Sequence, residues 1–420
     1  MQVLMMVPDC QMIDRRVLQQ ARTLVEAGHA VTLLAGFECA AEEHFDWHGV
    51  QVHRYVYDWD DERLKRLRAR LPDNDRLRML VNRAWMAVAR RCLHVTPFDA
   101  FVISRGRAFP ADVVHVHDLP LLKHGAILAR EMKARLVFDS HEIYHQQEGL
   151  TPRLRRELLR NERRYVRRCD VFITVNEAIA GYFQRLHGRR PMVLLNCADR
   201  PPAGFDASSR ADLRRRAGLP AEARVVLYQG WISPERNLAA LVQAAASLPR
   251  DAWLALIGYG AYEPQLRSLA EGRLWADRVR FLGRVEPEEI LALTAGADLG
   301  VIPYQPVDLN HRLCSPNKFF EYVQAGVPIL AEALPFFEEM KARWGVVEVG
   351  RLGSPEGMAE AIGRLLNDPA RLAGMREACR QAAAVLHWEA EGRKLLEAYA
   401  RLEPRGLKAC SMESAACHAC

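Results

Sequence analysis

Short runs of aliphatic and β-branched residues recur along the chain, separated by segments of helical period. In the first half these runs are QVLMMV, AVTLLAG, GVQVHRYV, DVVHVH, RLVFDS, CDVFITV and MVLLN. Between several of them lie amphipathic stretches such as RRVLQQARTLVEAGH, closing at Gly28, and EAIAGYFQRLHG. Continuous apolar strands separated by helices predict a parallel sheet covered on both faces. After Asn196 the alternation stops at CADRPPAGFDASSR, whose Pro, Gly, Ser and Asp predict a linker. It then restarts. ARVVLYQG, AWLALIGYG, RVRFLG, ADLGVIPY and VPILAEA read as strands, and NLAALVQAAASL, EPQLRSLAEG, EPEEILALTAGA and PNKFFEYVQAG as helices. Two alternating units on one linker predict an α/β chain with two Rossmann-like, doubly wound parallel-sheet domains facing each other across a cleft. The expected domains are 1–200 and 201–380, followed by a C-terminal helix over 381–402 and a flexible tail over 403–420. That helix lies in a long charged stretch, roughly 370–402, and is a candidate to cross back to the first domain.

Composition leaves this picture unchanged. The 420 residues are half hydrophobic and 26% charged, an ordinary globular balance. No apolar run approaches the length of a membrane-spanning helix. MQVLMMVPDCQMIDRR lacks a basic leader and reads as a buried first strand, not a signal peptide. Ten scattered cysteines predict reduced thiols and a cytoplasmic protein. The net charge of +6 is local in origin. Residues 62–92 carry ten Lys/Arg and three acids, and residues 153–168 carry eight Arg and two Glu, so these two segments hold +13 and the rest −7. Such patches suit an anionic membrane surface, a nucleic acid or an acidic substrate.

The segment CSPNKFFEYVQAGVP concentrates candidate chemistry. Ser315 before Pro316 predicts a capped helix start, and Gly326 with Pro328 predicts its end. Asn317, Lys318 and Glu321 then crowd one side of the first turns, where free N–H groups attract anions. The helix follows the strand ADLGVIPY, at a carboxyl edge where open α/β sheets bind ligands. Amides and a lysine for phosphate, with a carboxylate for sugar hydroxyls, are one reading. A solvated turn with a Lys–Glu pair is the other. In VVLYQGWISPERNLAALVQAA a strand ends at Gly230 and Arg236 lands at the next helix entry, placed to grip a diphosphate or simply to be solvated. In LALIGYGAYEPQL, Gly258 and Gly260 permit a tight turn and close backbone approach.

Together these stretches resemble the family 4 retaining glycosyltransferases, which have the GT-B fold. VLYQGWISPERNL, LIGYG, VRFLGRV, ADLGVIPY and SPNKFFEYVQAGVP fall in that family's order and spacing. So do RRVLQQARTLVEAGHAVTLL, DVVHVHD, VFDSHE, CDVFITVN and VLLNCAD in the first half, and the resemblance covers roughly residues 1–400. It implies a hexosyltransferase-type enzyme that moves a sugar from a UDP- or GDP-type donor with retention, without metal or other cofactor. The implied acceptor is a glycan or lipid-linked molecule in cell-surface polysaccharide or glycolipid synthesis. By position, His117, Arg236 and Lys318 would be the catalytic groups. Gly230, Gly258, Gly260, Gly283, Arg284, Val285, Ser315, Asn317 and Glu321 would bind the donor, with Glu321 on its ribose and residues 283–285 by the base. Breaking a glycosyl–diphosphate bond builds negative charge on the leaving oxygen, and fixed cations and N–H groups lower that barrier.

This sequence departs from the family's pattern at several places. Leu313 stands where a glutamate is frequent, and Trp231 where an arginine is frequent. Asn310, His311 and Arg312 are candidate substitutes. The first strand is followed by PDCQMIDRR in place of a Gly-Gly turn, which puts Asp14 and Arg15 there. It also lacks GxGxxG, which argues against a dinucleotide oxidoreductase.

DVVHVHD places His115 and His117 on one face of a strand, with His117 nearer the carboxyl edge. His141-Glu142-Ile-Tyr-His145 matches the HExxH pattern of zinc hydrolases. A zincin needs that pattern inside a helix, whereas here it directly follows the strand RLVFDS. Glu148 and Thr151 stand where an extended pattern asks for glycine and histidine, and Glu157 and Glu162 are the nearest distant carboxylates. Asp118, Asp139, His141 and Glu142 read better as polar residues on the acceptor side. A nucleotide-sugar epimerase of the same fold is a further alternative.

DERLKRLRARLPDNDRLRMLVNRAWMAVARRC, with Trp85, and TPRLRRELLRNERRYVRRC both read as basic amphipathic helices for an anionic lipid surface. This predicts peripheral association with the inner membrane face. No recognition motif supports nucleic acid. Cys410, Cys417, Cys420 and His418 have no standard finger spacing and read as free groups in a disordered tail.

Overall fold

The computed structural model describes residues 1–57, 96–203, 205–206 and 210–402. The basic segment 62–92, Trp85 and the Cys-rich tail lie outside the described residues.

The chain forms two compact units. One holds Met1–His141, Arg156–Ile173 and the chain from Leu395; the other holds Glu142–Arg155 and Thr174–Lys394. From Leu194 to the helix at Ala211 no described residue is in a strand or helix, as the Pro- and Gly-rich linker composition predicts.

The first sheet contains β1 Gln2–Val7, β2 Ala30–Ala35, β3 Glu43–Trp47, β4 Val50–Arg54, β5 Val113–His117, β6 Arg135–Ser140, β7 Val171–Thr174 and β8 Met192–Val193. Their order is β3-β4-β2-β1-β5-β6-β7-β8. β1 pairs in parallel with β2 and β5, and β5 with β6, while β3 pairs antiparallel with β4. The sequence pattern missed β3, because EHFDW is an edge strand whose side chains are largely exposed. The chain runs outward from β1 through β2 and β4, then returns to β1's other side with β5. That reversal creates a ligand-accepting crevice at the carboxyl ends of β1 and β5. The register sets His117 opposite Asp139.

The second sheet contains β9 Arg224–Gln229, β10 Ala252–Ile257, β11 Val279–Gly283, β12 Leu299–Ile302, β13 Ile329–Glu332 and β14 Val347–Gly350. The order is β11-β10-β9-β12-β13-β14. All its pairings are parallel. This is the Rossmann order 3-2-1-4-5-6, with its reversal between β9 and β12. The helix Asn317–Gln324 packs there through an apolar face. Phe319, Phe320, Tyr322 and Val323 are fully buried. Phe319 meets Phe320 at 5.2 Å and Phe336 at 5.0 Å between ring centres. Tyr322 lies over Gly300 of β12, where a Cβ would come within 2.8 Å of the ring, and its hydroxyl donates to the Leu227 carbonyl at 3.0 Å.

The C-terminal stretch, expected as one long helical run, is two helices, Pro369–Ala383 and Trp388–Ala400. Gln324 Nε2 donates to the carbonyls of Leu386 (2.7 Å) and Ala383 (3.3 Å), so the break leaves both satisfied. The end of the second helix belongs to the first unit, where the Tyr399 hydroxyl lies 2.9 Å from His115 Nδ1.

Candidate functional site

In the second unit the chemistry gathers where β9 and β12 end. Tyr228 is the next-to-last residue of β9, and Tyr304 follows β12 by two residues. Because these strands are neighbours, both rings flank the first turn of the helix Asn317–Gln324. Lys318 Nζ sits 3.8 Å from the centre of the Tyr228 ring and 5.0 Å from that of Tyr304. Lys318 is buried, and its amine has no hydrogen-bond partner. Burial and the Arg236 charge push its pKa well below the usual lysine value, against the opposing pull of Glu321. The Arg236 guanidinium lies over Tyr304 at 4.2 Å. Its Nε lacks a hydrogen bond and faces Glu235 at 3.8 Å. Two neighbouring basic side chains lean on aromatic faces with unused donors. A phosphate would supply the missing partner.

The start of this helix differs from the expected serine cap. Pro316, extended at φ −76° and ψ 137°, takes the cap position, and no side chain caps the helix. Ser315 is thereby moved one residue outside. Its hydroxyl has no partner, and its carbonyl accepts from Asn196 Nδ2 at 2.9 Å. The Phe319 amide donates to the Pro316 carbonyl at 3.1 Å, which leaves the amides of Asn317 and Lys318 open to an anion.

The glycines bring two loops into contact. Gly258 has φ +147°, and a Cβ there would lie 1.9 Å from the Gly230 carbonyl oxygen. At Gly260 a Cβ would lie 2.0 Å from the Ile232 oxygen. The Ile232 amide donates to the Tyr259 carbonyl at 2.9 Å, and the Gly258 amide to Gly283 at 2.9 Å. Gly230, beside Lys318, leaves the amine room: a Cβ there would stand 3.1 Å from Nζ. Arg236 sits, as expected, just before the next helix, in the turn Pro234–Arg236 ahead of Leu238–Ala244.

Glu321 is half-buried and accepts from Gln229 Nε2 at 2.5 Å. Gln229 in turn accepts from the Thr294 hydroxyl at 2.8 Å, so the carboxylate is aimed by a buried polar chain. Gln229 escaped the sequence reading. Its signal was a polar residue closing an otherwise apolar strand. Tyr228 and Tyr304 escaped for a different reason, since their pairing needs the strand order. Asn317 is half-buried beside Lys318. Arg284 is exposed and lies 5.3 Å from the Tyr259 ring, which meets exposed Trp231 edge-on at 5.2 Å; Val285 is half-buried. Leu313 is buried, and its carbonyl accepts from Asn176 at 2.7 Å. Asn310 Oδ1 accepts from the Ile143 amide at 2.8 Å, and His311 pairs with Asp308 at 2.9 Å. Glu142 accepts from Gln147 at 2.5 Å.

In the first unit, His115, His117, Asp139 and His141 form a buried cluster. The rings of His115 and His117 stack at 4.5 Å, and His117 lies 5.4 Å from His141. Asp139 Oδ2 accepts from Gln20 at 2.6 Å and from His141 Nε2 at 2.9 Å. His117 Nδ1 is 3.5 Å from the same oxygen, an ion-pair distance without hydrogen-bond geometry, and neither of its ring nitrogens has a hydrogen bond. Asp118 holds the left-handed φ of +63°, which lets its carboxylate accept the His141 amide at 3.0 Å. Burial opposes the charge on His141, but Asp139 outweighs it and raises the pKa to about 9. Burial likewise opposes Asp139, and the His141 charge holds it well below the carboxylate range. His117 is pushed down by burial. Asp14 caps the helix Arg15–Glu26, accepting from the Arg16 amide at 2.8 Å.

The HExxH pattern does not form a zincin helix. His141 follows β6 outside any helix, and His145 lies in the short turn Tyr144–Gln146, bonded to the Tyr182 hydroxyl at 2.7 Å. The two histidines share no helical face.

Two parallel α/β sheets with these crevices define a GT-B fold. Sucrose-phosphate synthase from Thermosynechococcus elongatus shares it, with a TM-score of 0.71, 16% identity, and 96% of this chain and 98% of that one covered. The model for "Glycosyl transferase 4-like domain" matches residues 13–198, and that for "Glycosyl transferases group 1" matches 209–386. The chain belongs to the group 1 glycosyl transferases. It is 28% identical over 216 residues to a D-inositol 3-phosphate glycosyltransferase of Xylanimonas cellulosilytica, covering 49% of each. Over 199 residues it is 31% identical to a GDP-mannose-dependent alpha-(1-6)-phosphatidylinositol monomannoside mannosyltransferase of Mycobacterium tuberculosis, covering 46% of this chain and 51% of that one. The chain spans about half the length of the curated relatives it matches.

Proposed function

We propose that this protein transfers a sugar from a nucleotide-diphosphate sugar to a glycan or lipid-linked acceptor, with retention and without a metal. The observation that carries this reading is Lys318, a buried amine without a partner, beside Arg236 at an uncapped helix start. A diphosphate satisfies all three. Lys318, Arg236 and the amides of Asn317 and Lys318 hold the leaving group, where removal of one such donor costs on the order of 10²–10³ in rate. Glu321, aimed by Gln229, takes the ribose hydroxyls. Gly230, Gly258 and Gly260 let backbone approach the donor, Ser315 adds a hydroxyl, and Arg284 and Val285 flank the base. In the first unit His117 is assigned to a sugar hydroxyl, and Asp118 and His141, with Glu142, to the acceptor side. Relatives that act on inositol phosphate and phosphatidylinositol mannoside favour a polyol or glycolipid acceptor.

A membrane-bound acceptor suits the helix Pro152–Val166. Arg153, Arg156, Arg160, Arg163 and Arg164 follow helical spacing and are exposed, with Arg167 just past the helix end, beside exposed Leu154. Among the described residues no helix is long and apolar enough to cross a membrane, so this face would act at the surface. Pelleting with anionic vesicles at low salt, lost at high salt, supports that surface role; no pelleting at low salt removes it.

The central test is a thermal-shift screen of UDP- and GDP-sugars on the wild type, Arg236→Ala and Glu321→Ala. The wild type should be stabilised by one donor class and both variants much less. Full shifts in both variants would overturn the site assignment.

A further inference from the structure

His117 is a fully buried imidazole without a hydrogen bond, at the carboxyl end of β5 where the first sheet reverses. Buried polar groups are normally paired, so such an orphan at a ligand edge awaits a partner. Its surroundings decide what partner it can take.

His141 has a carboxylate at each ring nitrogen. Nε2 lies 2.9 Å from Asp139, and Nδ1 lies 3.5 Å from Asp118. The short bond to Asp139 and a second carboxylate 3.5 Å from the other ring nitrogen favour a proton on each, which makes His141 an imidazolium. Asp139, also bound by Gln20, is its counter-charge. His117 presents only Nδ1 to Asp139, at 3.5 Å, and its ring stands 5.4 Å from that of His141. A second positive charge beside an imidazolium is disfavoured, so His117 holds a single proton. The carboxylate draws that proton to Nδ1. The other face of His117 is covered by His115, whose Nδ1 meets Tyr399 and whose Nε2 is unpaired. Asp9, Asp14, Arg16 and the Tyr399 hydroxyl are the other titratable groups that act on this cluster.

We propose that Asp139 and His141 are positioning residues that hold His117 in one tautomer, with Nδ1–H turned to Asp139 and Nε2 presented as a hydrogen-bond acceptor. Given the sugar-transfer reading above, on which this part rests, the group accepted is a sugar hydroxyl, and an ether or deoxy position is selected against. Toward that hydroxyl, Asp139 and His141 act only through His117, a role separate from the acceptor-side assignment of His141.

The test is ¹⁵N–¹H correlation of histidine-labelled full-length protein between pH 6 and 8, on the wild type, Asp139→Asn and His141→Gln, each checked for folding by thermal melting. His117 should appear uncharged as the Nδ1–H tautomer, and His141 doubly protonated. In either variant the His117 signals should move toward a tautomer mixture. With the preferred donor, both variants should lower kcat at least tenfold with KM little changed, and should shift its pH profile. A charged His117, an Nε2–H tautomer, or variant spectra and profiles matching the wild type would overturn the proposal. Should the variants not fold, the wild-type tautomer alone decides. The spectra require no glycosyl transfer. A correct tautomer with no response to any nucleotide-sugar would therefore defeat the functional reading and leave the positioning intact.

Discussion

Lys318 Nζ lies 3.8 Å above the centre of the Tyr228 ring and has no hydrogen-bond partner. The aromatic face compensates part of the amine's lost hydration, but an unpaired buried donor costs about 1–3 kcal/mol. A site that keeps such a cost is expected to recover it on binding.

Lys318→Met should therefore stabilise the ligand-free protein while removing its response to nucleoside diphosphates. Urea unfolding and thermal shift with UDP and GDP measure the two effects. A variant that is less stable, or that keeps its nucleotide response, would show that Lys318 is there for packing.

Glu321→Ala should weaken binding of a nucleoside diphosphate by roughly tenfold to a hundredfold, from about 1.5–3 kcal/mol for hydrogen bonds to a charged group. It should leave inorganic pyrophosphate unaffected, since the carboxylate is assigned to ribose. Isothermal titration with both ligands separates ribose contacts from phosphate contacts. Gln229→Leu should reproduce part of the loss, because Gln229 aims the carboxylate at 2.5 Å.

Gly258→Ala should destabilise the second unit. Its φ of +147° is closed to alanine, and the new Cβ would fall 1.9 Å from the Gly230 carbonyl oxygen. The backbone conformation alone costs about 1–3 kcal/mol, and the contact adds to it. The denaturant midpoint should fall with the slope unchanged.

The Asp139–His141 pair makes stability depend on pH in a defined direction. His141, raised from an ordinary 6.5 to about 9, favours the fold fully below about 6.5 and loses that contribution as pH climbs through about 9. Asp139, held well below its ordinary 3.8, contributes above that value and loses it on acidification through its folded pKa. The stability difference between wild type and Asp139→Asn should be largest from about pH 4 to 6.5 and shrink toward pH 9. Chemical denaturation across that range checks it, and a pH-independent difference would remove the ion pair.

Several residues of the candidate site in the second unit were visible in the chain itself. Lys318 and Glu321 stand out because charged residues interrupt an apolar helix, and Gly258 and Gly260 because they follow a strand directly. The capping serine was misplaced by one residue, since cap geometry depends on Pro316's extended backbone and not on residue type alone. The HExxH match failed for a related reason: spacing is shared by helices and turns, and only the path of the chain after β6 tells them apart. β3 was missed because it is short and exposed, with Phe45 and Trp47 its only apolar residues.

The sequence by itself determined the alternation of strands and helices, the break near residue 200, and which residue types stand at strand ends. Hydrophobic period and turn chemistry are local properties, and they survive in a linear reading. Strand order, and with it the meeting of Tyr228, Tyr304 and Lys318, was decided only by the tertiary structure. So were the facing of His117 and Asp139 across β5 and β6, the Gln229–Glu321 bond, and the contact of Tyr399 with His115. Each joins residues far apart in the chain through strand register or helix docking, and no local pattern encodes that choice.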